Sequence, residues 1–115
     1  VDVPCSEKDL QQRILRVARE WGWRVNHVHR AQVADGSWRT TCSPGWPDCV
    51  LVHPVWGRVL VLELKSPTGR ATPQQKAWMQ AWQAAARNAP DVIGAWVVKP
   101  SDWPAISRLL TRRPA

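Results

Sequence analysis

Asp48-Cys49-Val50-Leu51-Val52-His53, Pro54-Val55-Trp56-Gly57 and Arg58-Val59-Leu60-Val61-Leu62-Glu63-Leu64-Lys65 form one continuous stretch that decides the fold. Two runs rich in Val and Leu bracket four turn-forming residues, which is the pattern of a β-hairpin. Both faces of each run are largely apolar, so the hairpin is expected at the centre of a sheet with helices on both sides. If the turn is symmetric, His53 faces Arg58 and, counting back along both strands, Asp48 faces Glu63 with Cβ atoms roughly 5 Å apart. Lys65, two residues beyond Glu63, then lies on the same face at roughly 6.5 Å. The rest of that face is Val50, Val52, Val59 and Val61. Two acids and a lysine therefore cluster at one end of an apolar strip.

Upstream, residues 30–46 form a long polar stretch with Asp35-Gly36 and Ser43-Pro44-Gly45, read as a loop or a pair of short irregular strands. Segments of this kind in a compact domain are usually functional. Trp23 to His29 alternates apolar and polar residues as a half-buried strand does. His27 and His29 share one face of it and are read as solvated or hydrogen-bonded rather than as metal ligands. Ser6 with Asp9 three residues on opens a helix with Leu10, Ile14, Val17, Ala18 and Trp21 on one side and Gly22 at its end. Glu7 is in phase with that apolar stripe rather than with Lys8, Gln11 and Arg19. It is either an exposed first-turn acid favoured by the helix dipole or an acid that needs a cationic or metal partner.

Downstream, Thr72-Pro73-Gln74-Gln75 has Thr at a helix N-cap, Pro in the first position and Gln three after the cap. Trp78, Met79 and Trp82 form the apolar stripe of this second helix. Val92 to Val98 reads as a strand, and Ser101 as the cap of a last helix carrying Trp103, Ile106, Leu109 and Leu110. The order helix, strand, strand, strand, helix, strand, helix predicts an α/β sandwich around a mixed sheet. Residues 1–115 are read as one domain, as the length suggests.

Hydrophobic residues make up 44% of the chain, enough for a core, and no apolar run approaches the ~18–20 residues of a membrane span. The opening residues carry no basic-then-apolar leader, so the expected location is the cytoplasm. Cys5, Cys42 and Cys49 are odd in number and irregularly spaced, which favours reduced structural thiols over a disulfide or zinc framework. Sixteen Lys and Arg against nine Asp and Glu give a net charge of +7 and point to an anionic partner, nucleic acid ahead of a membrane surface. Arg dominates those cations and suits phosphate through its planar fork of donors.

Facing carboxylates do not both stay ionised without a cation between them. Carboxylates plus waters and a substrate phosphate are the usual surroundings of Mg²⁺, and a neighbouring ammonium can hold water or neutralise charge developing on phosphate. Pro47-Asp48, fourteen residues, then Glu63-Leu64-Lys65 resembles the PD-(D/E)xK nuclease motif. Gly45-Trp46-Pro47-Asp48 is similar to the Gly-x-Pro-Asp of its VRR-NUC branch. Gln75 with Trp78, Glu7 on the opening helix, and Lys99-Pro100-Ser101-Asp102-Trp103 also resemble features of that branch. The likeness runs from about Ser6 to Leu110 and is closest to small stand-alone VRR-NUC proteins of phages and bacteria.

The resemblance implies a restriction-endonuclease-like α/β core in a bacterial or phage-infected cell. It implies Mg²⁺ or Mn²⁺ bound by Asp48, Glu63 and the Leu64 carbonyl, with Glu7 at a second metal or its water. Lys65 would position or activate water and Gln75 would support the site. The implied activity is metal-dependent hydrolysis of DNA phosphodiesters in branched substrates such as Holliday junctions, by a homodimer. Arg30, Arg39, Arg70 and Lys76 flank the motif and are candidate phosphate contacts; Trp38 and Trp46 are candidates to stack on an unpaired base. Residues 32–44 form a longer segment than many relatives carry at this point. The alternatives are a DNA-binding module that does not cut, and a flap or restriction-type nuclease on the same core.

Overall fold

In the computed structural model, residues 3–27, 30–32, 38–40 and 43–113 are described. The apolar runs around residue 55 pair as an antiparallel hairpin, β4 (Cys49–His53) and β5 (Arg58–Leu64), with Cys49 opposite Leu62 and His53 opposite Arg58. This is the expected register. β1 (Arg24–His27) adds to β4 antiparallel, and β6 (Ile93–Val98) adds to β5 parallel, giving a mixed sheet in the order β1-β4-β5-β6. Within the polar stretch, β2 (Arg30–Gln32) and β3 (Trp38–Thr40) form a separate two-stranded ribbon.

Helix α1 (Glu7–Glu20) starts where Ser6 Oγ accepts the Asp9 N–H at 3.1 Å, and Gly22 follows its end with φ +89°. Leu10, Ile14 and Ala18 are fully buried, whereas Trp21 is the exposed C-cap and does not extend the apolar stripe. α3 (Trp103–Thr111) lies beside α1, and together they cover the face carrying Cys49, Leu51, Leu60, Leu62 and Leu64. Trp23 ties this layer together, its indole N–H donating to the Leu110 carbonyl at 2.9 Å. α3 departs from expectation at its start: Pro100–Asp102 forms a 3₁₀ turn, and Asp102 Oδ2 rather than Ser101 accepts a backbone donor, Lys99 N–H, at 2.8 Å. Proline fixes the backbone one residue before Ser101 and draws the turn forward.

Among the described residues, the opposite face is covered only in part. α2 (Pro73–Asn88) lays Met79 and Trp82 over Val59, Val61 and Ala95 of β5 and β6. Val52 on β4 stays 40% exposed and Val50 half-buried, so helices cover both faces of β5 but not of β4. One helix is too narrow for four strands, since a helix with its side chains spans about 10–12 Å and strands repeat every ~4.8 Å. The buried Cys49 thiol is pushed up to about 12 by burial and by the nearby Asp48 and Glu63 acids. It stays protonated and behaves as a small core residue, while Cys5 is exposed and Cys42 lies outside the described residues.

Candidate active site

The acid end of the hairpin is set by a glycine. Gly45 has φ +83°, and a Cβ there would lie 2.4 Å from the Gln74 carbonyl carbon and 2.6 Å from the Gln75 nitrogen. Only a residue without a side chain lets this loop rest on the first turn of α2. Trp46 then packs edge-on against Trp78 and Trp82, with centroids 4.8 and 5.9 Å away, and Pro47 is fully buried. Trp46 is thus part of an aromatic cluster on α2, and the Trp38 side chain lies outside the described residues. The chain leaves Pro47 with Asp48 held against β5, where Asp48 Oδ2 accepts the Leu64 N–H at 2.8 Å.

Glu63 is the second acid. It is 1% exposed and sits among the sheet and α2, yet among the described residues its Oε2 has no hydrogen-bond partner. Its Oε1 accepts from Gln75 Nε2 at 3.2 Å and lies 3.6 Å from Lys65 Nζ. Burial raises the Glu63 carboxyl from 4.5 to about 9, helped by the neighbouring Asp48 acid and opposed by Lys65. As it stands the group holds its proton at neutral pH, because the nearby ammonium does not outweigh burial beside another acid.

Gln75 joins this acid to the helix start. Its Oε1 accepts the Thr72 N–H at 2.9 Å, and its own N–H reaches Thr72 Oγ1 at 3.2 Å. With the amide oxygen engaged by the cap, the NH₂ group is left to face Glu63. The same side chain therefore caps α2 and orients the carboxylate.

A cavity of about 340 Å³ opens beside Asp48 and Leu64, walled by Glu7, Lys8 and Gln11 of α1. Glu7 is exposed, so its in-phase position does not bury it; the first turn of α1 stands over the Asp48 and Leu64 end of the sheet, with which it shares this cavity. Lys8 and Gln11, which helix phase assigned to solvent, line the same cavity. Among the described residues no three acidic, His or Cys side chains gather around one point, so Glu7 does not complete a three-acid cluster. What converges is Asp48, Glu63, Lys65 and Gln75. Of the candidate phosphate contacts, Arg70 and Lys76 are exposed on the β5–α2 loop and the first turn of α2. The side chains of Arg30 and Arg39, like those of His27 and His29, lie outside the described residues.

Gly-x-Pro-Asp on a clamped loop, with Glu63-Leu64-Lys65 ending the next strand and Gln75 bonded to Glu63, is an arrangement found by residues rather than by fold alone. The VRR-NUC domain model matches residues 7–89, which span α1 to the end of α2. The chain belongs to the VRR-NUC family. It is a PD-(D/E)xK-type nuclease domain, and DNA is the substrate this implies. No curated protein matches the sequence closely enough to count as a relative.

Proposed function

We propose that this VRR-NUC protein is a metal-dependent, structure-specific DNA endonuclease that hydrolyses phosphodiester bonds in branched DNA, Holliday junctions among them, as a homodimer. The observation that carries the metal dependence is the orphaned Oε2 of Glu63, buried beside a second carboxylate. An unpartnered buried carboxylate oxygen is expensive, and two carboxylates with a main-chain carbonyl are a hard-oxygen donor set suited to Mg²⁺ or Mn²⁺. Asp48, Glu63 and the Leu64 carbonyl would hold that cation, with Glu7 on the cavity wall reaching the outer side.

The cation, when bound, supplies positive charge to the scissile phosphate and acidifies water for in-line attack. The protein's own groups do the rest. Asp48 is pinned by the Leu64 N–H and presents its other oxygen. Gln75 holds Glu63 Oε1 so that Oε2 keeps its direction. Lys65, close to Glu63 and half-buried, places an ammonium where it can orient the attacking water or offset charge on phosphate. Arg70 and Lys76 extend the positive surface beside the site, and the net charge of +7 favours the polyanion.

The test compares the wild-type chain with Lys65→Ala on labelled four-way junction, flap and linear duplex in Mn²⁺, Mg²⁺ or EDTA. Paired, metal-dependent cuts in the junction, lost in the variant while junction binding persists, are expected. Cutting at the wild-type rate by Lys65→Ala would refute the site, and cutting of linear duplex at fixed sequences would refute the preference for branched DNA.

A further inference from the structure

A second cavity, larger than the one beside Asp48, is lined by other residues than the acid pair. It measures about 650 Å³ and runs between the edge strand β6 and α3. Its apolar floor is Trp96, Ile106 and Leu109, and its rim is Arg58, Arg108, Arg112 and Arg113; Asp102 is the one acid on it. That carboxylate is engaged at the Lys99 N–H, and the guanidinium groups of Arg108, Arg112 and Arg113 make no hydrogen bond or ion pair among the described residues. Arg58 is held in place by a 2.8 Å bond to the Pro90 carbonyl.

Trp96 is 38% exposed although it faces the groove. A Cβ on Gly94 would lie 2.3 Å from the Trp96 ring, so the glycine lets the indole lie back along its own strand toward Arg58. An indole held against backbone, with its outer side open and arginines around it, is an aromatic platform inside a cationic rim. Such a platform fits unstacked bases with their phosphates: the ring accepts a base face, and Arg forks grip phosphate oxygens or stack in turn. An acidic peptide would use the charge but not the ring. Trp96 pairs with Leu62 and shares its face of the sheet, toward α3, whereas Glu63, one residue further along β5, shares the opposite face with Val61, toward α2. The groove and the acid pair are therefore separate, and apart from Arg58 the groove falls beyond the residues the family match covers.

We infer that the β6–α3 groove is a second nucleic-acid site, which binds an unpaired DNA strand by stacking on Trp96 and by phosphate contacts from Arg58, Arg108 and Arg112. The inference rests on DNA being the substrate but not on the acid pair being catalytic. Anisotropy of a labelled twelve-nucleotide oligo-dT in EDTA, with the full chain, reads strand binding without cutting, and the groove variants report the share the groove contributes. Trp96→Ala and Arg108→Glu are each expected to weaken it about tenfold, with Trp96→Phe retaining most of the affinity. Cutting of blunt duplex or junction in Mn²⁺ by these variants is expected to stay near wild type, while Lys65→Ala loses cutting and keeps oligo-dT binding. Unchanged oligo-dT affinity in both groove variants would overturn the inference and leave the nuclease reading untouched. It would equally be overturned if poly-glutamate displaced oligo-dT charge for charge, or if Trp96→Ala changed the oligomeric state by light scattering, since the groove would then serve an acidic protein or a second copy.

Discussion

The two ends of the β4–β5 hairpin each bury one polar side chain, and they treat it in opposite ways. At the turn, His53 is 4% exposed and fully satisfied. Its Nδ1 accepts the Trp56 N–H at 3.1 Å, which leaves Nε2 protonated to donate to the Trp21 carbonyl at 2.8 Å. The ring stacks on Trp56 at 4.0 Å and meets Trp23 edge-on at 5.1 Å. At the open end, Glu63 is more deeply buried, keeps an oxygen with no partner and lies beside another acid. A buried polar group with every valence used stabilises a fold, whereas one left incomplete costs stability until something arrives. On the proposed reading, the difference separates a structural residue from a functional one on the same pair of strands.

Glu63→Gln breaks the comparison most severely. The neutral amide cannot serve as an anionic metal ligand, and junction cutting in Mn²⁺ is expected to fall on the order of 10³-fold, comparable to losing a principal electrostatic group in other enzymes. Single-turnover cleavage measures it, and a loss below tenfold would mean that Glu63 is not a ligand. The same variant is expected to be more stable in EDTA. Below about pH 4.5 the wild-type carboxyl is protonated in folded and unfolded chains alike; above it the unfolded chain loses the proton while the folded chain keeps it up to about 9. Folding stability is therefore highest below the unfolded value and declines as pH rises through that window. Denaturant melts at pH 5 and pH 8 should show this decline in wild type and a flatter profile in Glu63→Gln.

His53→Ala tests the satisfied end. It removes two hydrogen bonds and a stacked ring between Trp23 and Trp56, and is expected to lower the unfolding free energy by about 2–4 kcal/mol. The rise in melting temperature on adding Mn²⁺ should survive, because the lesion is at the far end of the hairpin; its disappearance would show that the two ends are coupled. Gln75→Ala is the mildest change. Loss of the reciprocal cap costs about 1 kcal/mol, and release of Glu63 Oε1 should slow cutting roughly tenfold, a support effect of the size seen around metal sites. A stability loss with an unchanged rate would assign Gln75 to the cap alone.

Much of this was legible in the sequence because β-structure counts simply. A four-residue turn and period-2 alternation place Asp48 against the end of β5 before any coordinates exist, and the Thr72–Gln75 cap is equally local. The overhang of α1 is not local. Helix phase says which residues share a side, but where the sheet ends beneath them depends on the packing of α1 on α3. Helix phase alone therefore sets Glu7 with the apolar stripe and Lys8 and Gln11 with solvent, although all three wall one cavity. The incomplete cover over β4 has the same origin, since apolar character in Val50 and Val52 does not reveal how wide a single helix is. The cap at Ser101 failed for a different reason: proline at residue 100 starts its turn a residue early.

The register of β1 on β4 sets His27 opposite Cys49. The long polar segment thus departs from and returns to adjacent points on the sheet, and its return is bolted down where Gly45 meets the backbone of Gln74 and Gln75. Chain added or removed between those two points does not change the spacing of Asp48, Glu63 and Lys65. The protein has, in effect, a socket beside the acid pair: an insert of another length can be exchanged there while Asp48, Glu63 and Lys65 stay where they are.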